Sequence, residues 1–141
     1  NVVSGRYLVT LPRPGGMSNQ LQSVLMDLAA ATREGRTLVV PYLRDHYQWG
    51  TTHEDYFSFS RYFDLQEMRI QGISITTPEE VVQACPEGIY LDSSCRNQAL
   101  IDFYNSSFGF RFRLVTSNAK AEACVWHHEA TQQPAGFPPY S

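Results

Sequence analysis

A strand, a helix and a second strand follow one another within residues 6–41, and this succession constrains the fold more than any other feature of the chain. The run Tyr7–Leu11 is apolar and rich in β-forming residues, and the two prolines after it cannot donate hydrogen bonds to a sheet. A second run, Thr37–Val40, is β-branched and apolar and ends at Pro41, as expected for a strand covered on both faces. The pattern predicts a βαβ unit with a right-handed crossover.

The helix of this unit is predicted to begin at a glycine turn and to end at a glycine. Gly15 and Gly16 permit a sharp turn, and Asn19 followed three residues later by Gln22 is a helix-start signal of the capping-box kind. Gly35 supplies the C-terminal stop. Beyond Leu21, the expected sheet-facing stripe consists of Val24, Leu25, Leu28, Ala29 and Thr32.

Strands and helices go on alternating after the first unit. A helical turn is predicted at residues 64–69, a strand at 73–75 and another strand at 89–91. Between these strands, residues 77–80 (Thr-Pro-Glu-Glu) combine an N-cap, a proline at the first helical position and a glutamate at N3. The alternation predicts an α/β fold, a Rossmann-like parallel sheet flanked by helices.

The last third of the chain is less regular. Residues 108–114 alternate phenylalanine or leucine with glycine or arginine, which predicts a half-exposed strand at an edge of the sheet. Residues 132–141 are rich in proline and lack periodicity, as is typical of a tail or an interdomain linker. We therefore predict one α/β domain over residues 1–131, followed by this segment.

The charge balance excludes two classes of partner. The chain has 11 basic and 14 acidic residues and a formal net charge of −3, whereas nucleic acid and anionic membrane surfaces require clustered lysine and arginine. No apolar run reaches the roughly 20 residues needed to cross a bilayer. We predict neither nucleic-acid binding nor a membrane span in this chain.

Cysteine and histidine give no metal-binding pattern. Cys85, Cys95 and Cys124 lack the C-x-x-C spacing of zinc or thioredoxin-like sites, and they leave open one disulfide with an unpaired thiol or three reduced thiols. In the His-His-Glu cluster at 127–129, adjacent side chains point in different directions, which favours a solvated turn. We predict no metal site.

The tripeptide Asn105-Ser106-Ser107 is a sequon for N-linked glycosylation. A sequon is used only where the chain enters the secretory pathway and the segment is exposed. Such tripeptides also occur by chance. We interpret this one as part of a loop and Asn105 as a candidate glycosylation site.

The glycine turn before the first helix has two interpretations. A helix N-terminus offers unpaired backbone N–H groups and the positive end of the helix dipole, so the segment 14–20 is a candidate phosphate loop. Alternatively, Gly15 and Gly16 only make the turn and Asn19 only caps the helix. On the motif alone the second interpretation is favoured, because the string matches neither G-x-G-x-x-G nor a P-loop.

A longer string changes that balance. The segment Gly15–Leu21, followed by an alanine-rich helix and by Gly35–Pro41, resembles the first βαβ unit of protein O-fucosyltransferases and related fucosyltransferases. In those proteins a Gly-Gly-x-x-Asn-Gln-like loop precedes the helix, and an Arg-Thr-Leu-x-x-Pro-like strand follows it. Residues 62–65 also resemble the Phe-Asp-x-x-x-Leu turn of that family. The resemblance covers residues 6 to about 91.

The resemblance implies the N-terminal domain of a GT-B glycosyltransferase. Such an enzyme closes GDP-fucose between two Rossmann-like domains and transfers fucose to a protein or glycan hydroxyl with inversion, without a metal or another cofactor. It implies that Gly15, Gly16, Asn19 and Gln20 face the diphosphate and fucose of the donor. The aromatic segment 42–62 would help to receive the acceptor.

Transfer to a hydroxyl also needs a general base within hydrogen-bond reach. Some relatives place a glutamate in the glycine loop, where this chain has Met17, Ser18 and Asn19. The candidate bases are the titratable residues of the aromatic segment, Asp45, His46, His53, Glu54 and Asp55. Their interpretation as solvated surface charges stays open.

Two hypotheses of function follow. The family's second domain carries a His-x-Arg-like motif, which this sequence lacks. The first hypothesis is that the chain is the donor-side half of a fucosyltransferase in the secretory pathway or outside the cell, completed by a second GT-B domain or a partner chain and incomplete or inactive alone. The second is a catalytically inactive relative that keeps the fold as a structural or interaction module.

Overall fold

A six-stranded parallel sheet with helices on both faces forms the framework of the chain. The computed structural model describes residues 5–10, 16–44, 56–92, 98–115 and 122–126. The strands are β1 (Tyr7–Val9), β2 (Thr37–Val39), β3 (Leu43–Arg44), β4 (Tyr56–Phe57), β5 (Ile75–Thr76), β6 (Ile89–Asp92), β7 (Phe112–Val115) and β8 (Cys124–Trp126). The helices are α1 (Met17–Arg33), α2 (Leu65–Ile70), α3 (Pro78–Ala84) and α4 (Gln98–Phe108), with a 3-10 turn at Phe59–Arg61.

The order of strands across the sheet is β5-β2-β1-β8-β6-β7. Leu8 of β1 pairs with Leu38 of β2 on one side and with Val125 of β8 on the other. The last of the described strands, β8, therefore lies in the middle of the sheet. The short strands β3 and β4 pair antiparallel to each other as a separate hairpin. Because all six strands of the main sheet are parallel, their carboxyl ends lie at one edge.

Successive side chains along each strand point to opposite faces of the sheet and so contribute to two hydrophobic cores. Leu8 and Val125 point to the face covered by α1 and α2, where Val24 and the half-buried Met68 also pack. Tyr7, Val9 and Trp126 point to the opposite face, which α3 and α4 cover. A fully parallel sheet buried on both sides is the arrangement that its short, continuous apolar strands favour. The predicted α/β class is confirmed.

Three predicted helix ends are confirmed by their hydrogen bonds. The side chain of Thr77 accepts from the backbone N–H of Glu80, and the Glu80 side chain accepts from the backbone N–H of Thr77. Asp64 caps α2 by accepting from the N–H of Glu67. At the end of α1, Gly35 has φ +67°, and Arg36 N–H donates to the carbonyl of Ala31, as in a Schellman motif.

The predicted cap of α1 is wrong, and its predicted buried stripe is right only in part. Gly16 is the N-cap, and Asn19 lies exposed in the first turn of the helix. Val24 is buried and Leu28 packs against the core, but Leu25 is 67% exposed. The buried residues of α1 are Gln20, Ser23, Val24, Asp27, Ala30 and Ala31. Apolar periodicity misses part of this face because three of its residues are polar.

The segment predicted as one strand over residues 108–114 is divided between a helix and a strand. Phe108 ends α4, Gly109 turns the chain with φ +76°, and β7 begins at Phe112. The edge position is confirmed, since β7 is the outermost strand and Leu114 is 64% exposed. Asn105 belongs to the last turns of α4 rather than to a loop.

A disulfide joins Cys85, at the end of α3, to Cys124 of β8. The bond excludes three reduced thiols; Cys95 lies outside the described residues, so the predicted unpaired thiol stays a prediction. Within the described ranges, no helix combines the length and apolar character that a membrane span requires. Residues 132–141 and the boundary predicted at 131 lie outside them, so the domain limits stay a prediction.

Candidate functional site

The carboxyl edge of the sheet is where open α/β folds bind ligands, and two groups of described side chains meet this edge. One is the start of α1, which follows β1. The other surrounds Tyr42 and Glu79, which follow β2 and β5 by three residues each. The chemistry available at this edge depends on these two groups.

The first turn of α1 carries no acidic side chain. Gly16 is in an extended conformation, with φ −72° and ψ 176°, and its carbonyl accepts a 3.2 Å hydrogen bond from the N–H of Gln20. Gly16 has no side chain to cap the helix, and the first turn of α1 contains no acidic residue. The positive end of this 17-residue helix is therefore not neutralised by its own first turn, which favours an anion such as a phosphate.

The structure separates the four residues predicted to bind the donor. Gly16 and Asn19 lie at the exposed start of α1, whereas Gln20 is fully buried, with 0% of its side chain accessible. Gly15 lies outside the described residues. Of the two polar side chains, those of Asn19 and Gln20, only that of Asn19 is exposed to solvent.

A row of buried polar residues lies behind this helix start. Thr10, just after β1, and Gln20, Ser23 and Asp27 of α1 are at most 1% exposed. Oγ1 of Thr10 and Oγ of Ser23 have no hydrogen-bond partner among the described residues. Buried hydroxyls without partners are rare in folded proteins and commonly mark internal water or a functional site.

The second group is organised by Tyr42. Its Oη donates a 2.6 Å hydrogen bond to Oε2 of Glu79 in the first turn of α3. Its backbone N–H donates to Oη of Tyr104 at 3.0 Å. Burial, and then the hydrogen bond to Glu79, raise the pKa of Tyr42 to about 12, and burial raises the pKa of Tyr104. Both phenols therefore stay protonated near neutral pH.

Half-buried aromatic rings extend from Tyr42. The ring centroids of Tyr56 and Phe103 are 4.3 Å apart in a stacked pair, and the ring of Tyr42 lies 5.2 Å from that of Phe108. The rings bring the end of β2, strand β4 and α4 together at the carboxyl edge. An aromatic surface beside a fixed carboxylate suits hydroxyl-bearing ligands, because rings pack on apolar faces while the carboxylate accepts hydrogen bonds.

The remaining predicted site residues fall outside the described ranges. These are the candidate bases Asp45, His46, His53, Glu54 and Asp55. The His-His-Glu cluster at 127–129, which we interpret as a solvated turn, also lies outside those ranges. Among the residues that the structure describes, no three His, Cys, Asp or Glu side chains come together as a metal-binding group.

The pair formed by Tyr42 and Glu79 is a feature that the sequence did not reveal. Tyr42 was noticed only as part of an aromatic segment, and Glu79 only as part of a helix-start motif. Both residues follow predicted strands of a parallel sheet, and that shared position was the available signal. That position predicts that Tyr42 and Glu79 lie at the same edge of the sheet, but it does not predict the hydrogen bond between them.

Comparison with known proteins gives structural matches only. No protein-family model matches the chain, and no curated protein matches it. A crystal structure of POFUT1 in complex with GDP matches with a TM-score of 0.67 at 13% identity, covering 94% of this chain and 47% of that chain. POFUT1 in complex with GDP-fucose matches with a TM-score of 0.66 at 15% identity, covering 94% of this chain and 48% of that chain. The fold is fucosyltransferase-like.

A second crystal form of POFUT1 with GDP-fucose matches with a TM-score of 0.61 at 16% identity, covering 84% of this chain and 37% of that chain. At such identities the likeness establishes the fold alone. The chain spans about half the length of the POFUT1 chains, and the likeness includes its parallel sheet flanked by helices.

Proposed function

We propose that this chain is the donor-side domain of a glycosyltransferase that transfers fucose from GDP-fucose to a protein or glycan hydroxyl, with no further cofactor. The observation that carries the proposal is the start of α1, an uncapped helix N-terminus at the carboxyl edge of this fold. In the matched structures POFUT1 holds GDP or GDP-fucose. An anionic diphosphate is the ligand class that such a helix start favours.

Each donor-site residue has a role that its position allows. The backbone N–H groups after Gly15 and Gly16 would stabilise the negative charge that develops on GDP as the C1–O bond of fucose breaks. The exposed amide of Asn19 would contact the donor directly. Gln20, being buried, would act by holding the first turn of α1 in place.

The acceptor hydroxyl attacks C1 of fucose and must lose its proton to a base. The first turn of α1 contains no acidic residue, so the proton goes to a group elsewhere at this edge. To the carboxylates and histidines of the segment 45–55 we add Glu79, whose orientation Tyr42 fixes. Tyr42 contacts Oε2 of Glu79, and we assign the proton to the other carboxylate oxygen, Oε1.

The disulfide supports a location in the secretory pathway or outside the cell. Disulfides persist in oxidising compartments and are rare in the cytosol. The bond between Cys85 and Cys124 joins a helix to a central strand, so it is part of the folded framework.

The second candidate function is an inactive relative that serves as a structural or interaction module. It is favoured by one observation, the absence of an acidic residue in the first turn of α1. The two candidates differ in whether donor binding leads to transfer. An active protein also needs a second domain, because this chain supplies one wall of a two-walled cleft.

The test uses the full-length protein that contains this chain, and the chain by itself as a comparison. We expect calorimetry to show GDP-fucose binding to the full-length protein and weak or undetectable binding to the isolated chain. Release of GDP in the presence of acceptor would then confirm transfer. Submicromolar binding by the isolated chain, about −8 kcal/mol or stronger, would contradict a half-site. Binding without GDP release would establish the inactive module, and no binding by the full-length protein would overturn both.

A further inference from the structure

The end of α4 carries a modification signal that the proposed transfer reaction does not explain. Asn105, Ser106 and Ser107 form an N-glycosylation sequon, and all three residues are exposed. We propose that Asn105 carries an N-linked oligosaccharide. The proposal rests on the secretory location argued above and is independent of whether the protein transfers fucose.

The side chain of Asn105 has a defined position that is compatible with a glycan. Its Nδ2 donates a 2.7 Å hydrogen bond to the carbonyl of Phe110, across the turn into β7. Its own carbonyl accepts from the N–H of Gly109 at 3.0 Å. An amide nitrogen has two hydrogens, and the bond to Phe110 uses one. The other can be replaced by a sugar while the first bond is kept.

Asn105 and the aromatic rings of the candidate site lie on the same turns of α4 but differ in exposure. Its neighbour Tyr104 is buried and accepts a hydrogen bond from the N–H of Tyr42, and the ring of Phe108 lies 5.2 Å from that of Tyr42. Asn105, Ser106 and Ser107 are exposed, so the sequon faces solvent.

The modification is a transfer from a lipid-pyrophosphate-linked oligosaccharide, the donor used in the secretory pathway. Nδ2 of Asn105 forms a bond to C1 of the first sugar, and the bond from C1 to the pyrophosphate oxygen breaks. The lipid pyrophosphate leaves, and one amide proton is lost to a base of the transferase. No oxidation or reduction is involved.

The experiment compares variants of the full-length protein secreted from a eukaryotic host. Wild type is expected to carry the mass of one oligosaccharide on the peptide that contains Asn105, removable by peptide N-glycosidase with conversion of that asparagine to aspartate. Ser107→Ala removes the sequon while the hydrogen bond to Phe110 is kept, and it should abolish the added mass. Ser107→Thr keeps the sequon and should retain it.

The two kinds of variant separate the glycan from the contact to Phe110. Asn105→Gln loses both the glycan and the positioned amide, so it should unfold at a lower urea concentration than Ser107→Ala. An unmodified Asn105 peptide in secreted, folded wild type overturns the proposal, whatever the result of the transfer assay. So does added mass that persists on this peptide in Ser107→Ala.

Discussion

Oη of Tyr42 lies 2.6 Å from Oε2 of Glu79, although 37 residues separate the two in the sequence. The hydrogen bond ties the segment after β2 to the first turn of α3. Through its backbone N–H, Tyr42 is also bonded to Tyr104 of α4. One tyrosine thus connects both helices of this face at the carboxyl edge of the sheet.

Replacing Tyr42 with phenylalanine tests what this hydrogen bond contributes. We expect Tyr42→Phe to lower the free energy of unfolding by about 1 kcal/mol at neutral pH, since the ring contacts and the bond to Tyr104 remain. The pKa of Tyr42 is raised from its ordinary value of 10.0 to about 12. Its contribution is therefore full below pH 10 and is lost as the pH rises through about 12. Denaturant unfolding between pH 7 and pH 11 measures both effects.

The matched control for that variant is Tyr62→Phe. Tyr62 is 61% exposed, and no hydrogen bond of its hydroxyl is found among the described residues. The control should change the free energy of unfolding by less than about 0.5 kcal/mol. Equal losses in the two variants would mean that the contact to Glu79 contributes nothing specific.

The carboxylate of Glu80, in the first turn of α3, should make the free energy of unfolding depend on pH in the acid range. Partial burial raises the pKa of Glu80, but hydrogen bonds from Thr76 and the charge and hydrogen bond of Arg69 outweigh it, so the pKa lies below its ordinary value. A depressed pKa contributes stability that is present above the unfolded-state value and is lost as the pH falls through the folded-state value. We expect Glu80→Gln to cost about 0.5 kcal/mol at pH 7 and nothing at pH 2.

The comparison for Glu80 is Glu67→Gln in α2, whose carboxylate accepts a hydrogen bond from Gln71. Urea unfolding at several pH values should show a smaller loss at pH 7 for this variant. A Glu80→Gln defect that stays constant down to pH 2 would show that the glutamate acts through packing rather than through its charge.

Gly88 is required by both its conformation and its surroundings. Its φ is +103°, and a Cβ placed on it would lie 2.5 Å from the carbonyl oxygen of Arg111. That oxygen is held by a 2.7 Å hydrogen bond from the N–H of Ile89, so it cannot move aside easily. We expect Gly88→Ala to lower the free energy of unfolding by about 3 kcal/mol.

Gly35→Ala is the control for Gly88. Gly35 also has a positive φ, +67°, but a Cβ there meets nothing within 4 Å. Gly35→Ala should lower the free energy of unfolding by about 1 to 2 kcal/mol, which is the cost of the left-handed conformation alone. The difference between the two variants in thermal unfolding measures the contact with Arg111, and an equal loss would remove that contact from the explanation.

The disulfide should be a large part of the stability. Cys85 and Cys124 are 39 residues apart, and the chain-entropy model gives about 4 kcal/mol for a loop of that length. Changing both cysteines to alanine should lower the free energy of unfolding by about that amount. Wild type should lose a similar amount when its unfolding is measured under reducing conditions. A reductant effect that persists in the double variant would point to another thiol.

Local signals predicted the first half of the fold well. The βαβ unit and the capping box at Thr77 depend on residues that are close in sequence, so their patterns could be interpreted without the tertiary structure. Strand β8 could not be predicted, because three residues form it and its partners are distant β1 and β6. Helix α4 is not among the predicted elements, and Phe108, Phe110 and Phe112 mimic strand alternation across its end, a turn and a strand start.

The sequence predicted where the candidate site lies in the fold but not the contacts of its residues. The glycine turn indicated the start of α1, yet Asn19 was expected to be the cap, a role that falls to Gly16. The buried face of α1 could be found only in part from apolar periodicity, because Ser23 and Asp27 belong to it. The pairing of Tyr42 with Glu79 depends on how two distant segments meet, which no local pattern contains.

Because Asn19 is not the helix cap, it offers a clean test of the glycine turn. Its side chain is exposed, so Asn19→Ala should change the free energy of unfolding by less than about 0.5 kcal/mol. If the amide contacts the donor or the charge developing on GDP, kcat/KM for fucose transfer by the full-length protein should fall by about a hundredfold. Gln22→Ala, a polar deletion one turn further along α1, is the control and should leave transfer nearly unchanged. Steady-state GDP release and urea unfolding of the three proteins provide the comparison. Normal transfer by a folded Asn19→Ala protein would show that this helix start shapes the fold without contributing a side chain to the reaction.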